Sequence, residues 1–377
     1  MSSTNTIHFA AVGDVSFGDH PLCVGFGSHS TFKKRNAGFP FQHVIEDLQQ
    51  AELLFGNLEC TLSEAGRRSG DYHSIQMRGQ QSDIDSLTQA SFNVMNMANN
   101  HAMQHGKQPF KETVALLQQH NIQPCGVNYD DHLKGIPVIT ETNGIKVAFL
   151  GYSLRPRQYF EEAPLYTEGN YDNIVADTAS AKQQADIVIV SLHWGEEFIT
   201  RPAPEEIQLA RATIDAGASL IVGHHPHVLR GMEHYKNGTI LYSLGNFVCD
   251  MMWDESLRET AIFHCDIDKN GISNPRFTAA YINNSCQPTI LTGEASSALL
   301  NKIAQRSEAA AQYSLENIET KSASYVEEAD DILRIIRKKS QKYFLRKIWK
   351  YPPMVLIQQV LRYIYNRVHE RIAAPSQ

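Results

Sequence analysis

The first two thirds of the chain are built from short apolar runs that stop at polar or glycine-containing ends. Ile7 to Val12, Leu53 to Phe55, Val94 to Met97, Lys146 to Leu150, Ile187 to Ser191, Leu220 to Val222 and Ile240 to Leu244 each read as a buried strand. Helix-like stretches lie between several of them, such as Pro109 to His120 and Pro204 to Asp215. This alternation predicts an α/β domain whose sheets are covered by helices. Open α/β folds place ligands at the carboxyl ends of strands. Here those ends read Gly13-Asp14, Gly56-Asn57, Asn99-Asn100-His101, His193 and Gly223-His224-His225.

Composition narrows the classes. A chain of 377 residues with 42% hydrophobic and 20% charged residues has enough material for a real core, and no low-complexity tract argues for disorder. Its six cysteines are widely spaced without a CxxC pair, so reduced thiols are expected rather than a zinc ribbon or a disulfide scaffold. No apolar stretch approaches the length of a membrane span, and the start MSSTNTIHFAAVGD lacks the basic and apolar regions of an export signal. A cytoplasmic location is the expectation.

After Asp268-Lys269-Asn270-Gly271, a hairpin turn, strand character persists to about Ile290 and then gives way to helix. We therefore divide the chain into a catalytic-type domain, 1–294, and a helical, basic extension, 295–377. From Arg334 to Arg371 there are eleven basic residues and one acid, Glu370, within a chain whose net charge is −7. Tyr343, Phe344, Leu345, Ile348 and Trp349 interleave with the basic residues, as in interfacial helices. Residues 334–371 are accordingly expected to meet an anionic membrane surface or to pack on the acidic body. Nucleic acid is not an expected partner, because the body is acidic and carries no nucleic-acid motif.

A two-metal centre needs ligands from several strands. The candidates are Asp14 in AAVGDVSFGD, Asn57 and Glu59 in LFGNLEC, Asn100 and His101 in MANNHAMQHG, His193 in VSLHWGEEF, and His225 and His227 in IVGHHPHVLRG. A lone strand-end histidine is usually structural, but a recurring series closed by an HxH pair is unlikely from composition. His224 reads as a donor behind the ligands, and Asn246 and Asp250 of YSLGNFVCD read as residues lining the site or as a polar turn. Arg78 and Arg230 are candidates for holding a substrate anion, although isolated arginines are usually solvated.

Together the segments GDVSFGD, GNLE, ANNHAMQHG, LHWGEEF, GHHPHV and YSLGNFVCD resemble capsule-synthesis proteins of the CapA type, within the calcineurin-like metallophosphoesterase superfamily. The resemblance runs from about Ile7 to Asp250. It implies a four-layer αββα sandwich, here followed by a helical extension, and a dimetal hydrolase associated with capsule, poly-γ-glutamate or exopolysaccharide synthesis. Ser16 stands where the superfamily has a first-motif His, Asn57 where it has a bridging Asp, and Gln104 where CapA proteins usually have Asp. The implied repair gives the first metal Asp14, Asn57, Glu59 and His227, and the second Glu59, Asn100, His193 and His225, with Glu59 bridging. The abundant imidazoles favour Mn, Fe or Zn over Ca. His101, outside the metal shell, is the expected general acid. An anionic polymer or phosphate-containing molecule is the expected substrate, and the alternative is a non-catalytic scaffold of a membrane polymer-synthesis complex. In either case a peripheral position on the inner face of the membrane fits the basic tail.

Overall fold

Along the first strand, Ile7–Val15, successive side chains enter different apolar clusters: Phe9 and Ala11 face a second sheet, whereas Ala10 and Val12 face a layer of helices. Burial on both faces explains why the run shows no polar alternation. The structure, a computed structural model, describes residues 6–68, 71–316, 318–358 and 360–361.

One sheet has the strand order Pro288–Ile290, Gly271–Ile282, Glu259–Asp268, Ile7–Val15, Leu53–Leu58, Val94–Asn96 and Gln123–Cys125, with Asn246–Val248 pairing beside Ile7–Val15. The other runs Met232–Tyr235, Gly238–Leu241, Leu220–His224, Ile187–His193, Ile145–Ser153 and Val138–Thr142. Phe9, Phe55 and Val94 of the first sheet meet Val147, Phe149, Ile189 and Val222 of the second. Phe55 stacks on Phe149 with ring centroids 5.8 Å apart, so truncating Phe149 to Ala removes about 3–5 kcal/mol. On the outer faces, helix Lys107–Gln119 buries Phe110, Val114 and Leu117, and helix Pro204–Asp215 buries Ile207, Ala210 and Ile214. Helix, sheet, sheet and helix make the four-layer αββα sandwich.

The apolar runs thus locate the central strands, with one offset: Ile240 to Leu244 is a strand only as Gly238–Leu241, because its register is set by pairing with Met232–Tyr235. The turn at Asp268 is a hairpin turn, in which the Asp268 carboxylate accepts from the Asn270 and Gly271 amides at 2.6 and 3.1 Å. Helix Tyr171–Lys182 lies outside the sequence reading, its apolar face being reduced to Ile174, Thr178 and Ala181.

Helix Gly293–Ala311 packs Leu299 and Ile303 on Leu229, Ala261 and Ala279. Helix Ile318–Lys347 buries only Tyr325, Ala329 and Ile336. At its far end Phe344, Tyr351 and Val355 close against Val24, Phe26 and Tyr72. The helical extension expected over 295–377 is described only to residue 361; Arg362, Arg367 and Arg371 lie outside the described residues. No helix among the described residues is long and apolar enough to cross a membrane.

Candidate metal centre

Register brings the predicted residues together. Across the first sheet Asn246, Asp14, Asn57 and Asn96 stand side by side, and across the second Ser153, His193 and His224 do the same. The parallel strands end at one edge, and the turns beyond them add Glu59, Asn100, His101, His225 and His227. Gly13 is required here: a Cβ at this position would lie 2.0 Å from the Gly245 carbonyl, the group that accepts the Asp14 amide at 2.9 Å. The His225 and His227 backbones both lie in the left-handed region, at φ +95° and +58°. Such residues cost of order 1–3 kcal/mol each and persist where the surroundings hold a site in shape.

Asp14 Oδ1 accepts from Asn57 Nδ2 at 2.8 Å and lies 3.1 Å from His224 Nδ1. Its Oδ2 accepts the His225 amide at 3.2 Å and lies 3.5 Å from His227 Nδ1. Burial alone would raise this carboxyl, but His224 and His227 hold it well below the usual range. Glu59 takes the opposite direction, pushed well above the usual range by burial and by the charge of Asp14. Its Oε1 is 3.5 Å from His193 Nε2 and its Oε2 is 3.9 Å from His227 Nδ1, so the carboxylate spans two imidazoles.

Burial drives the His193 and His225 imidazoles well below their ordinary value, leaving them neutral with lone pairs to offer. Burial also acts downward on His227, but Glu59 and Asp14 prevail and push it up to about 10. That is the electrostatic signature of a pocket that favours a cation. Asn246 donates to the His227 and Leu257 carbonyls, which turns its own oxygen to His227 Nδ1 at 2.9 Å. His193 Nε2 lies 2.8 Å from Asn100 Oδ1.

Asn57 departs from the expected ligand set. Asn96 is oriented by the Ala98 amide, and Asn99 by the Leu58 carbonyl and the His101 amide. Both therefore present Nδ2 to Asn57 Oδ1, at 2.9 and 3.2 Å. The Asn57 oxygen, the atom expected on the first metal, is thus engaged on the far side, and its nitrogen faces Asp14 and, at 3.4 Å, His193. An amide nitrogen is a donor, and in this structure Asn57 turns it to the Asp14 carboxylate.

His101 lines the same cavity, of about 90 Å³, with Asp14, Glu59, His227 and Tyr159. Burial lowers its imidazole to about 4. Its Nδ1 is 2.7 Å from Gln104 Oε1, so the residue standing where Asp was expected still fixes the ring, without a negative charge. Sequence reading named Asn99 only as part of a strand end and missed Asn96, Gln158 and Tyr159; the one signal was Asn96, a polar side chain in an otherwise apolar strand. Neither candidate arginine lines the cavity: Arg230 is bound to Glu206 at 2.7 Å and Arg78 donates to the Ala65 carbonyl at 3.0 Å.

The donor set fits a metal ion. Glu59, His225 and His227 bring their ligating atoms within 4.8 Å of one another. Glu59 Oε1 and both ring nitrogens of His225 are buried without a hydrogen-bond partner, a costly state in an apolar interior unless something binds there.

The chain is 32% identical over 271 residues to the capsule biosynthesis protein CapA of Bacillus anthracis, covering 69% of this chain and 64% of that protein. It therefore spans less than two thirds of that relative's length. It is likewise 32% identical over 274 residues to the PGA biosynthesis protein CapA of Bacillus subtilis strain 168, covering 71% and 70%. Among solved structures, 5'-nucleotidase from Candida albicans SC5314 aligns with 89% of this chain and 58% of its own at a TM-score of 0.43 and 14% identity. The family model for bacterial capsule synthesis protein PGA_cap matches residues 8–251, the segment that holds every strand-end residue described above, and the chain belongs to that family.

Proposed function

We propose that the chain is a metal-dependent hydrolase acting on an anionic polymer of capsule or poly-γ-glutamate type, or on a phosphate-containing precursor of one. The observation that carries this reading is Glu59, a buried carboxylate whose two oxygens face two different imidazoles. In this reading Asp14, Glu59 and His227 hold one divalent ion, and Glu59, Asn100, His193 and His225 hold the other, with Mn, Fe or Zn suited to the imidazoles. Bound there, the ions supply a water nucleophile at neutral pH and positive charge for the oxygens of the transition state. Asn57 and the His225 amide hold the Asp14 carboxylate in place. His101, its Nδ1 fixed by Gln104, offers Nε2 to the leaving oxygen as general acid. An anionic substrate opposes the burial that lowers this imidazole and so favours its protonated form.

Elemental analysis of protein purified without chelator, joined to a screen of phosphodiester, phosphomonoester and γ-glutamyl substrates, tests the reading. About two equivalents of transition metal and turnover are expected. Glu59→Gln should lose the metal, whereas Glu64→Gln, an exposed residue paired with Arg67, should keep it. Less than about half an equivalent after reconstitution would favour the scaffold reading.

A further inference from the structure

A second cleft, of about 580 Å³, opens where the end of helix Ile318–Lys347 meets the body. Arg258 from the body and Arg346, Lys347 and Lys350 from the helix end line it, with Asn284 and Tyr343 between them. The cleft is rigidly framed. Arg258 donates from Nε to the Ile282 carbonyl at 2.9 Å and from its terminal nitrogen to Asn284 Oδ1 at 3.1 Å, and its guanidinium lies 4.4 Å from the Tyr281 ring centroid. The helix end is pinned by Tyr351, buried against Phe26 and Phe344 and hydrogen-bonded to the Leu22 carbonyl.

These cations are poorly compensated. Elsewhere on the helix Arg334 pairs with Asp331 and Lys339 with Asp254. Among the described residues Arg346, Lys347 and Lys350 make no ion pair, and Arg258 has only Glu255 at 3.9 Å. Asp250, the carboxylate within the lining, is turned to the His20 and Ser28 amides at 2.9 and 3.2 Å. Asp250 also lines the strand-end cavity, so the two recesses adjoin.

We infer that this cleft binds a linear polyanion, holding successive carboxylate or phosphate groups of one chain beside the strand-end site. Four converging cations in a recess larger than a single anion needs match a chain with repeated charges. A bilayer needs a projecting surface, and these cations line an indentation. The inference shares with the proposed function only that the ligand is anionic, and its test dispenses with metal.

The test is fluorescence anisotropy of a labelled ten-residue oligoglutamate with the full chain in EDTA. Binding should weaken steeply with salt, and labelled decaglutamine should not bind. Arg346→Gln, Lys347→Gln and Lys350→Gln combined should raise Kd at least tenfold. Combined Arg337→Gln, Lys338→Gln and Lys342→Gln, at helix positions outside the cleft, should change it less than twofold. Unlabelled tripolyphosphate competing better than oligoglutamate would identify phosphate as the preferred group. Equal weakening by both triple variants would overturn the inference, as would binding to anionic vesicles that oligoglutamate does not displace, which would make this end of the chain a membrane surface. A chain that binds oligoglutamate yet holds no metal would leave the cleft standing and remove the hydrolase.

Discussion

Charges in the strand-end pocket are held by protein neighbours, whereas those at the end of the C-terminal helix have no acidic partner among the described residues. Asp14 is buried and meets Asn57, His224, His227 and the His225 amide. Lys350 is exposed and, among the described residues, rests near the Phe26 and Trp349 rings without an ion pair. In a low-dielectric interior an unmatched polar group is expensive, so the pocket's geometry is over-determined by its surroundings. At the surface a charge costs little, and Arg346, Lys347 and Lys350 stand without an ion pair among the described residues. Fixed groups suit chemistry at one position; framed cations without a counter-ion of their own suit recognition of charge.

Substitutions break this comparison at different depths. The largest effect is expected in the pocket, where His101→Ala should lower kcat by roughly 10²–10⁴-fold with metal retained; an unchanged rate would leave the ring a positional role only. Next comes the amide relay. Asn57→Ala strips Asn96 and Asn99 of their shared acceptor, and each orphaned donor should cost about 1–3 kcal/mol of unfolding free energy in denaturant titration. Asn57→Ala combined with Asn99→Ala removes the donor together with its acceptor, so the pair should cost less than the sum of the two single variants; strict additivity would refute the relay.

A third test concerns acid. Burial holds His29 and His105 down at about 4, while an unfolded imidazole titrates near 6.5. The unfolded state then takes up more protons across that window. Stability from these residues is complete above about pH 6.5 and is lost as pH falls through 4. Thermal melts should decline from about pH 6.5 downward, and His105→Gln should flatten part of the decline.

The smallest effect sharpens the other side. Trp349, 76% exposed, should change stability by less than about 0.5 kcal/mol when replaced by Ser. Tyr351→Ala, two residues away but buried, should cost about 3 kcal/mol or more. A large loss from Trp349→Ser would mean that this surface is covered.

Much of this was readable from one dimension. Apolar runs ending in Gly-Asp, Gly-Asn, Asn-His and His located the strands and gathered Asp14, Glu59, Asn100, His101, His193, His225 and His227 at one edge, because strand period and chain direction are local properties. Orientation was not local. Whether Asn57 offers oxygen or nitrogen to Asp14 depends on Asn96 and Asn99, which are in turn set by backbone groups of Ala98, Leu58 and His101. The role of Gln104 likewise shows only once the turn brings its oxygen to His101. The cationic cleft joins Arg258 to residues 346–350, a convergence that charge counting along the tail does not contain. Sequence by itself determined which residues end the strands, since hydrophobic periodicity is written residue by residue. Tertiary structure alone decided which atom each polar group presents and which distant charges share a recess, since hydrogen-bond direction and charge proximity exist only after packing.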